Sequence, residues 1–172
     1  MEQRFSIVIC GLNGCGKSTL TRILAQELGY LRMDVEDYYF QPAANPYASS
    51  RTKEEVRALM LADIRRCPRF VLASVRADWG KEINDAYALA VVLSASKETR
   101  LRRIEGRERG KFGTRVLSGG DMYAQQQRFR AAVAARTEDN GGGRPSGSLL
   151  LHSSPERGKK HGRKHSGDQK RL

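Results

Sequence analysis

One segment near the start of the chain limits the possible folds more than any other feature. Residues 11–19 read GLNGCGKST and match the pattern G-x-x-x-x-G-K-[ST]. The segment follows a short apolar run over residues 5–10 and leads into residues 17–28, where apolar side chains recur at helical spacing. A glycine-rich turn between a buried strand and an amphipathic helix is the setting in which this pattern binds phosphate. The sequence therefore predicts a nucleotide-phosphate site at residues 11–19, here called the phosphate loop.

Each residue type in the phosphate loop suits the binding of a triphosphate. Glycines let the main chain curve closely around phosphate oxygens, and successive N–H groups and the positive end of the following helix then face the anion. We expect Lys17 to reach the β- and γ-phosphates and the Ser18 hydroxyl to bind Mg²⁺. The predicted nucleotide-binding residues are Gly11, Asn13, Gly14, Cys15, Gly16, Lys17, Ser18 and Thr19.

The first 136 residues alternate between strand and helix patterns. Beyond the phosphate loop and its helix, strands are predicted over residues 30–34, 70–75 and 89–94. Helices are predicted after the capping residues Thr52 and Ser96, and again from about residue 121 to 136. Strand-helix alternation of this kind predicts parallel strands joined by right-handed crossovers, and therefore an α/β layered fold.

The composition changes sharply near Thr137. Residues 137–172 carry all three histidines and a run of three glycines, and their one apolar cluster is residues 149–151. Such a segment buries too little apolar surface to offset the entropy lost on ordering. The sequence predicts one folded domain over residues 1–136 and a disordered, basic, Gly/Ser/His-rich tail over residues 137–172.

Charge and composition narrow the classes of partner. Lys and Arg number 31 against 19 acidic residues, and the net charge of +12 favours anionic partners such as nucleotides, phosphorylated metabolites or nucleic acid. Apolar stretches are far shorter than the ~20 residues that cross a bilayer, and the first residues have no signal-peptide pattern. The three cysteines lack the spacing of a zinc site or a disulfide framework. We expect a cytoplasmic protein with no membrane partner.

The phosphate loop, in so short a chain, resembles the P-loop small-molecule kinases, the group of the adenylate, shikimate and uridine kinases. It also resembles small bacterial proteins described as AAA-family ATPases. The resemblance spans about residues 4–136 and implies a three-layer P-loop NTPase fold with a parallel sheet. It also implies ATP and Mg²⁺ as cofactors, and phosphoryl transfer to a small-molecule acceptor: a nucleoside, a nucleotide or a metabolite hydroxyl. The chain has no clear fifth strand, with residues 149–151 a weak candidate, so we expect the sheet to be incomplete at its C-terminal end.

Kinases of this group carry an acid after the second strand, near the acceptor hydroxyl, and Asp34 stands at that position. An acid at the end of the second strand faces the same crevice as the phosphate loop. It can accept the hydroxyl proton there or help to hold Mg²⁺. The third strand lacks the terminal Asp of a Walker B motif, which places more weight on Asp34. Glu36 and Asp37 are alternative bases, and the alternative role for Asp34 is an N-cap.

An arginine-rich stretch over about residues 100–120 resembles the lid that closes over ATP in these kinases. Guanidinium groups stabilise the charge that spreads over a transferred phosphoryl group. Arg103 and Arg107, four residues apart on one helix face, are the predicted catalytic arginines, together with Lys17. Five glycines would allow the stretch to hinge: Gly106, Gly110, Gly113, Gly119 and Gly120. The alternative is a solvated basic helix.

Two other classes of function stay open. One is an ATP-binding protein or ATPase without an acceptor. The other is a basic nucleic-acid-binding protein, but aromatic residues make up only 7% of the chain and the basic tail has none interleaved to stack on bases. Nucleic acid is therefore not an expected partner. The sequence leaves the acceptor and the oligomeric state open.

Overall fold

Strands and helices alternate along the chain, as the sequence predicts. The computed structural model describes residues 5–41 and 49–137, and the backbone of residues 149–153. The strands are β1 (Ile7–Cys10), β2 (Leu31–Asp34), β3 (Phe70–Ser74), β4 (Leu89–Leu93) and β5 (Leu149–Ser153). The α-helices are α1 (Lys17–Leu28), α2 (Val35–Tyr39), α3 (Lys53–Arg66), α4 (Lys81–Asn84), α5 (Lys97–Phe112) and α6 (Tyr123–Ala135), and a 3₁₀ turn covers Gly113–Val116.

The five strands form one parallel sheet in the order β2-β3-β1-β4-β5. Every residue of β1 and β3 is buried, as expected for strands that helices cover on both faces. Successive side chains of a strand point to opposite faces. Val8 accordingly packs in the cluster that contains Met60 of α3, and Ile9 in the cluster that contains Ala25 of α1. The predicted three-layer α/β fold is confirmed, and its sheet places the end of β1 between the ends of β3 and β4.

Local sequence signals set the ends of three helices where they were predicted. Helix α1 stops at Gly29, whose φ of 65° is left-handed. Thr52 and Glu55 form a capping box at the start of α3, and the Ser96 hydroxyl accepts a hydrogen bond from the Thr99 N–H at the start of α5. No helix in the described ranges is long and apolar enough to span a membrane.

The sheet differs from the sequence expectation at its C-terminal edge. Residues 149–153, predicted to belong to a disordered tail, form β5, with Leu89 opposite Leu149 and Leu93 opposite Ser153. An apolar run finds pairing partners there because β4 would otherwise leave a row of unpaired backbone groups. The weak strand candidate at residues 149–151 therefore lies within β5. Residues 138–148 and 154–172 of the predicted tail lie outside the described residues.

The arginine-rich stretch folds as helix α5 followed by the 3₁₀ turn. Helix α5 continues without a break through Gly106 and Gly110 and ends at Gly113, whose φ is 57°. A glycine inside a helix costs about 1 kcal/mol relative to alanine. Burial of Ile104 on one face of α5 offsets that cost, which the local sequence alone does not reveal.

Candidate active site

The phosphate loop joins the end of β1 to the start of α1 and lines a cavity of about 270 Å³, here called the loop cavity. Six of the eight predicted nucleotide-binding residues line it: Asn13, Gly14, Gly16, Lys17, Ser18 and Thr19. The Lys17 ammonium group donates a hydrogen bond to the Leu12 carbonyl, with Nζ 3.1 Å from the oxygen. The loop therefore holds a cation, a hydroxyl and several main-chain groups at one small space.

Gly11 and Cys15 are buried and do not line the loop cavity. A β-carbon on Gly11 would overlap the Leu93 carbonyl oxygen at the end of β4 and lie 2.8 Å from the Cys15 sulfur. A β-carbon on Gly14 would lie 2.6 Å from the carbonyl oxygen of Arg100 in α5. These two glycines let the main chain of the loop press against β4 and α5, a packing role in addition to the phosphate role that the sequence suggested.

Side chains from α5 and from the residue after α6 also hold the phosphate loop. The Arg103 guanidinium donates hydrogen bonds to the carbonyls of Gly14 and Cys15, at 3.4 and 3.3 Å. Arg136 donates to the side-chain oxygen of Asn13 at 2.8 Å. Arg103 was predicted from its spacing, whereas Arg136 was missed because no motif marks the contact. Only the packing of α6 brings Arg136 to the loop.

A second cavity, of about 670 Å³, extends from α2 to α5 and α6, and is here called the large cavity. Glu36 and Arg107 line both this cavity and the loop cavity. The other lining residues of the large cavity are Arg32, Asp34, Asp37, Phe40, Gln41, Glu108, Lys111, Phe112, Gln125, Gln126 and Phe129. The two spaces therefore adjoin at an acidic and a basic side chain.

The structure gives Asp34 a capping contact at the wall of the large cavity. Asp34 ends β2, is only 7% exposed, and accepts a hydrogen bond from the Glu36 N–H at 3.1 Å, which caps α2. The Arg32 guanidinium lies 3.7 Å from the other carboxylate oxygen. Asp34 does not line the loop cavity, whereas Glu36 does. Asp37 is exposed and lies 3.4 Å from Arg32.

Sequence reasoning missed Glu108, which lines the large cavity from α5. The residue is only 3% exposed, and burial raises the pKa of its carboxyl group, while the nearby Arg130 guanidinium opposes that rise. The Arg130 Nε atom lies 2.9 Å from one carboxylate oxygen. In the sequence, Glu108 stands among arginines and suggests a solvated charge, so only the tertiary packing identifies it.

The end of β3 carries a hydroxyl where a Walker B motif has an acid. Ser74 accepts a hydrogen bond from the Trp79 indole N–H at 2.9 Å, and the Arg76 guanidinium lies 5.8 Å from the centre of the Trp79 ring. Asp78 accepts hydrogen bonds from the Gly80 N–H and the Asn84 amide, so it orders the turn before α4. Neither Arg76 nor Asp78 is among the residues that line the two cavities.

The residues at the loop cavity fit a magnesium ion that is held mostly by phosphate oxygens and water. Magnesium prefers oxygen ligands and usually takes one or two from the protein. Ser18 is exposed and offers its hydroxyl at the loop cavity. Within the described ranges, no cluster of three or more His, Cys, Asp or Glu side chains is placed to hold a metal by itself. Asp34, the other predicted Mg²⁺ ligand, does not line the loop cavity.

A family model described as an AAA domain matches residues 7–119. The chain belongs to this AAA domain family. Its match covers the phosphate loop, the arginine-rich helix α5 and both cavity-sharing residues, Glu36 and Arg107. The resemblance to P-loop small-molecule kinases, predicted from the loop, is confirmed by this match together with the relatives described next.

Two curated relatives and one solved structure extend the comparison of this AAA domain protein. The uncharacterized protein YqaC of Bacillus subtilis (strain 168) is 30% identical over 124 residues, which span 72% of this chain and 68% of that protein. The shikimate kinase of Gloeobacter violaceus (strain ATCC 29082 / PCC 7421) is 30% identical over 136 residues, 72% of this chain and 73% of that one. A gluconokinase from Sinorhizobium meliloti 1021 shares the fold with a TM-score of 0.53 and 16% identity, covering 90% of this chain and 85% of its own.

Proposed function

We propose that this protein is a Mg²⁺-dependent kinase that transfers the γ-phosphoryl group of ATP to a small-molecule acceptor. One observation carries the proposal: the loop cavity and the large cavity share Glu36 and Arg107. Phosphoryl transfer needs the donor phosphate and the acceptor oxygen to be held next to each other in line. A phosphate cradle that adjoins a cavity of about 670 Å³ provides a place for each.

The residues of the phosphate loop would bind the nucleotide. Main-chain N–H groups at the start of α1 surround the phosphates, and Lys17 exchanges its hydrogen bond with the Leu12 carbonyl for one with a phosphate oxygen. The Ser18 hydroxyl would hold Mg²⁺, and the ion would neutralise part of the charge of the phosphates. Arg103, already hydrogen bonded to two loop carbonyls, keeps a positive charge beside the phosphates.

Glu36 is the proposed base, and Asp34 positions it. The acceptor oxygen forms a bond to the γ-phosphorus, the bond from that phosphorus to the bridging oxygen breaks, and ADP leaves. The hydroxyl proton of the acceptor goes to the Glu36 carboxylate. Arg107 stabilises the charge on the transferred group. This assignment replaces Asp34, the base predicted from the sequence, with Glu36. Glu36 lines both cavities, and the Asp34 carboxylate accepts a hydrogen bond from the Glu36 N–H.

The proposal is tested by measuring ADP formation from Mg·ATP with single acceptors. The panel contains shikimate and gluconate, the compounds after which two of the matched proteins are named, together with nucleosides and nucleoside monophosphates. One acceptor is expected to raise the rate well above hydrolysis, and Lys17→Ala is expected to abolish the increase. Lys53→Ala, an exposed lysine on α3, is the matched control. An ADP release rate that no acceptor changes would instead support an ATPase without an acceptor.

A further inference from the structure

Aromatic rings line the large cavity from three separate elements. Phe40 follows α2, Phe112 ends α5 and Phe129 lies on α6. All three are partly buried. Small-molecule sites are typically apolar with a few fixed polar groups, and aromatic faces favour flat ligands. The cavity therefore suits a planar ring system.

Two buried polar side chains lie in the same cavity, one on each of its two long helices. Glu108 on α5 and Gln126 on α6 are both only 3% exposed, and both line the large cavity. The Arg130 Nε atom lies 2.9 Å from Oε2 of Glu108, but both carboxylate oxygens are buried without a hydrogen-bond partner among the described residues. A buried acceptor without a donor is costly, and a ligand that brings an N–H or O–H group would remove that cost.

Gln126 complements this carboxylate. A side-chain amide offers two donors and an acceptor in one plane, and a carboxylate offers only acceptors. A planar edge that carries an amino group beside a ring nitrogen matches such a pair. Nucleobases have this edge, and Gln and Glu are the side chains that read adenine and cytosine by hydrogen bonding in other settings.

The charges around the large cavity argue against a strongly anionic acceptor. Its lining includes three basic and four acidic side chains. Arg32 is already shared by Asp34 and Asp37, at 3.7 and 3.4 Å. The lining thus has no excess of positive charge that would attract a phosphate or a carboxylate in addition to ATP.

We propose that the acceptor is an uncharged nucleoside with an exocyclic amino group on its base. The base lies among Phe40, Phe112 and Phe129, its amino edge meets Glu108 and Gln126, and a ribose hydroxyl is directed to Glu36. This inference rests on the proposed kinase function and adds the class of the acceptor and two residues that determine specificity.

The test is calorimetric binding to the full chain, saturated with Mg²⁺ and a non-hydrolysable ATP analogue so that nucleosides cannot occupy the ATP site. The probes are adenosine, cytidine and guanosine, with uridine, adenosine 5′-monophosphate, shikimate and gluconate for comparison. At least one amino-bearing nucleoside is expected to bind about tenfold more tightly than each comparison compound. The same nucleoside is expected to raise ADP formation from ATP.

Two variants test the residues. Gln126→Leu and Glu108→Gln are expected to weaken nucleoside binding about tenfold and to leave the affinity for the ATP analogue unchanged. Gln127→Leu, at an exposed position on the same helix, is the matched control and keeps wild-type binding. Circular dichroism checks the fold of each variant, and if one unfolds, the wild-type panel still decides the acceptor class.

The outcomes separate this inference from the kinase proposal. If the ATP analogue binds but shikimate, gluconate or the monophosphate is the preferred ligand, the nucleoside inference is overturned and the kinase proposal stands. If Gln126→Leu and Glu108→Gln fold and bind the nucleoside as tightly as the wild type does, the two residues do not recognise the acceptor. If the ATP analogue does not bind at all, the kinase proposal itself fails.

Discussion

Glu36 in the first turn of α2 and Arg107 on α5 line both the loop cavity and the large cavity. A negative and a positive side chain thus flank the place where the two spaces adjoin. In a phosphoryl transfer, one group must accept a proton and another must stabilise the charge on the transferred oxygens. This pair can supply both, and the predictions below begin with it.

We expect Glu36→Gln to lower kcat by about 10²–10³-fold, because the amide cannot accept the acceptor proton. The affinity for ATP should stay within about twofold of the wild-type value, since the Lys17 and main-chain contacts are intact. Steady-state kinetics with the best acceptor measures kcat, and titration with the ATP analogue measures the affinity. Asp37→Asn, at the next exposed carboxylate, is the control and should retain activity.

We expect substitutions of Asp34 to lower mainly the stability of the fold. Asp34→Ala removes the N-cap of α2 and should lower the free energy of unfolding by about 1 kcal/mol, whereas Asp34→Asn keeps a capping oxygen and should lower it less. Chemical denaturation of the two variants measures the difference. If folded Asp34→Asn loses catalysis while Glu36→Gln keeps it, the base is Asp34 and the present assignment is wrong.

The Arg103→Ala variant should bind ATP more weakly and turn it over more slowly, by about tenfold or more in kcat/KM. Its guanidinium is the group that joins α5 to two carbonyls of the phosphate loop. Arg102→Ala is the matched control, because Arg102 is the exposed neighbour on the same helix. Equal kinetics for the two variants would show that the Arg103 contact has no role in nucleotide binding.

Gly14→Ala should destabilise the fold more than Gly29→Ala does. Both positions have positive φ, 85° and 65°, so a side chain costs about 1–3 kcal/mol of backbone strain at either. A β-carbon at Gly14 also meets the Arg100 carbonyl oxygen at 2.6 Å, whereas one at Gly29 meets no heavy atom within 4 Å. Thermal unfolding measures the difference. Equal melting temperatures would mean that α5 shifts to accommodate the added β-carbon at Gly14.

Cysteine alkylation should proceed unevenly, with Cys67 the first to react. Burial raises the pKa of the Cys10 thiol to about 12, so its thiolate fraction is very small at pH 8, and the thiolate is the reactive form. Cys15 is also buried, whereas Cys67 is partly exposed. Peptide mass spectrometry after iodoacetamide treatment at pH 8 measures the order, with the chain denatured in urea as the control. Labelling of Cys10 ahead of Cys67 in the folded chain would contradict the structure.

Local signals in the sequence were sufficient to predict the structure where a motif or a helix cap determines the backbone conformation. The phosphate loop, the end of α1 at Gly29 and the capping box at Thr52 follow from residue types at fixed spacing. Hence the order of the elements and the α/β class could be predicted without a structure. The burial of Ile104 and Glu108 along α5, in contrast, is not visible in the local pattern.

The residues that the sequence could not identify owe their roles to contacts between distant elements. Glu108 and Gln126 stand in polar stretches and became candidates only when α5 and α6 buried them in one cavity. The choice of Glu36 over Asp34 depends on which carboxylate caps α2, and adjacent acids look equivalent in a sequence. Likewise, β5 forms by pairing with the edge of β4, and the composition of the residues that flank β5 does not indicate this pairing.

The hydrogen bond between Arg136 and Asn13 joins residues 123 positions apart. During synthesis, the phosphate loop emerges early, yet this contact cannot form until α6 has been made and has docked. The conformation of the phosphate loop therefore depends on whether α6 has folded and docked. A chain that has not yet docked α6 would therefore meet ATP with a looser loop, and nucleotide would favour the finished fold over its precursors.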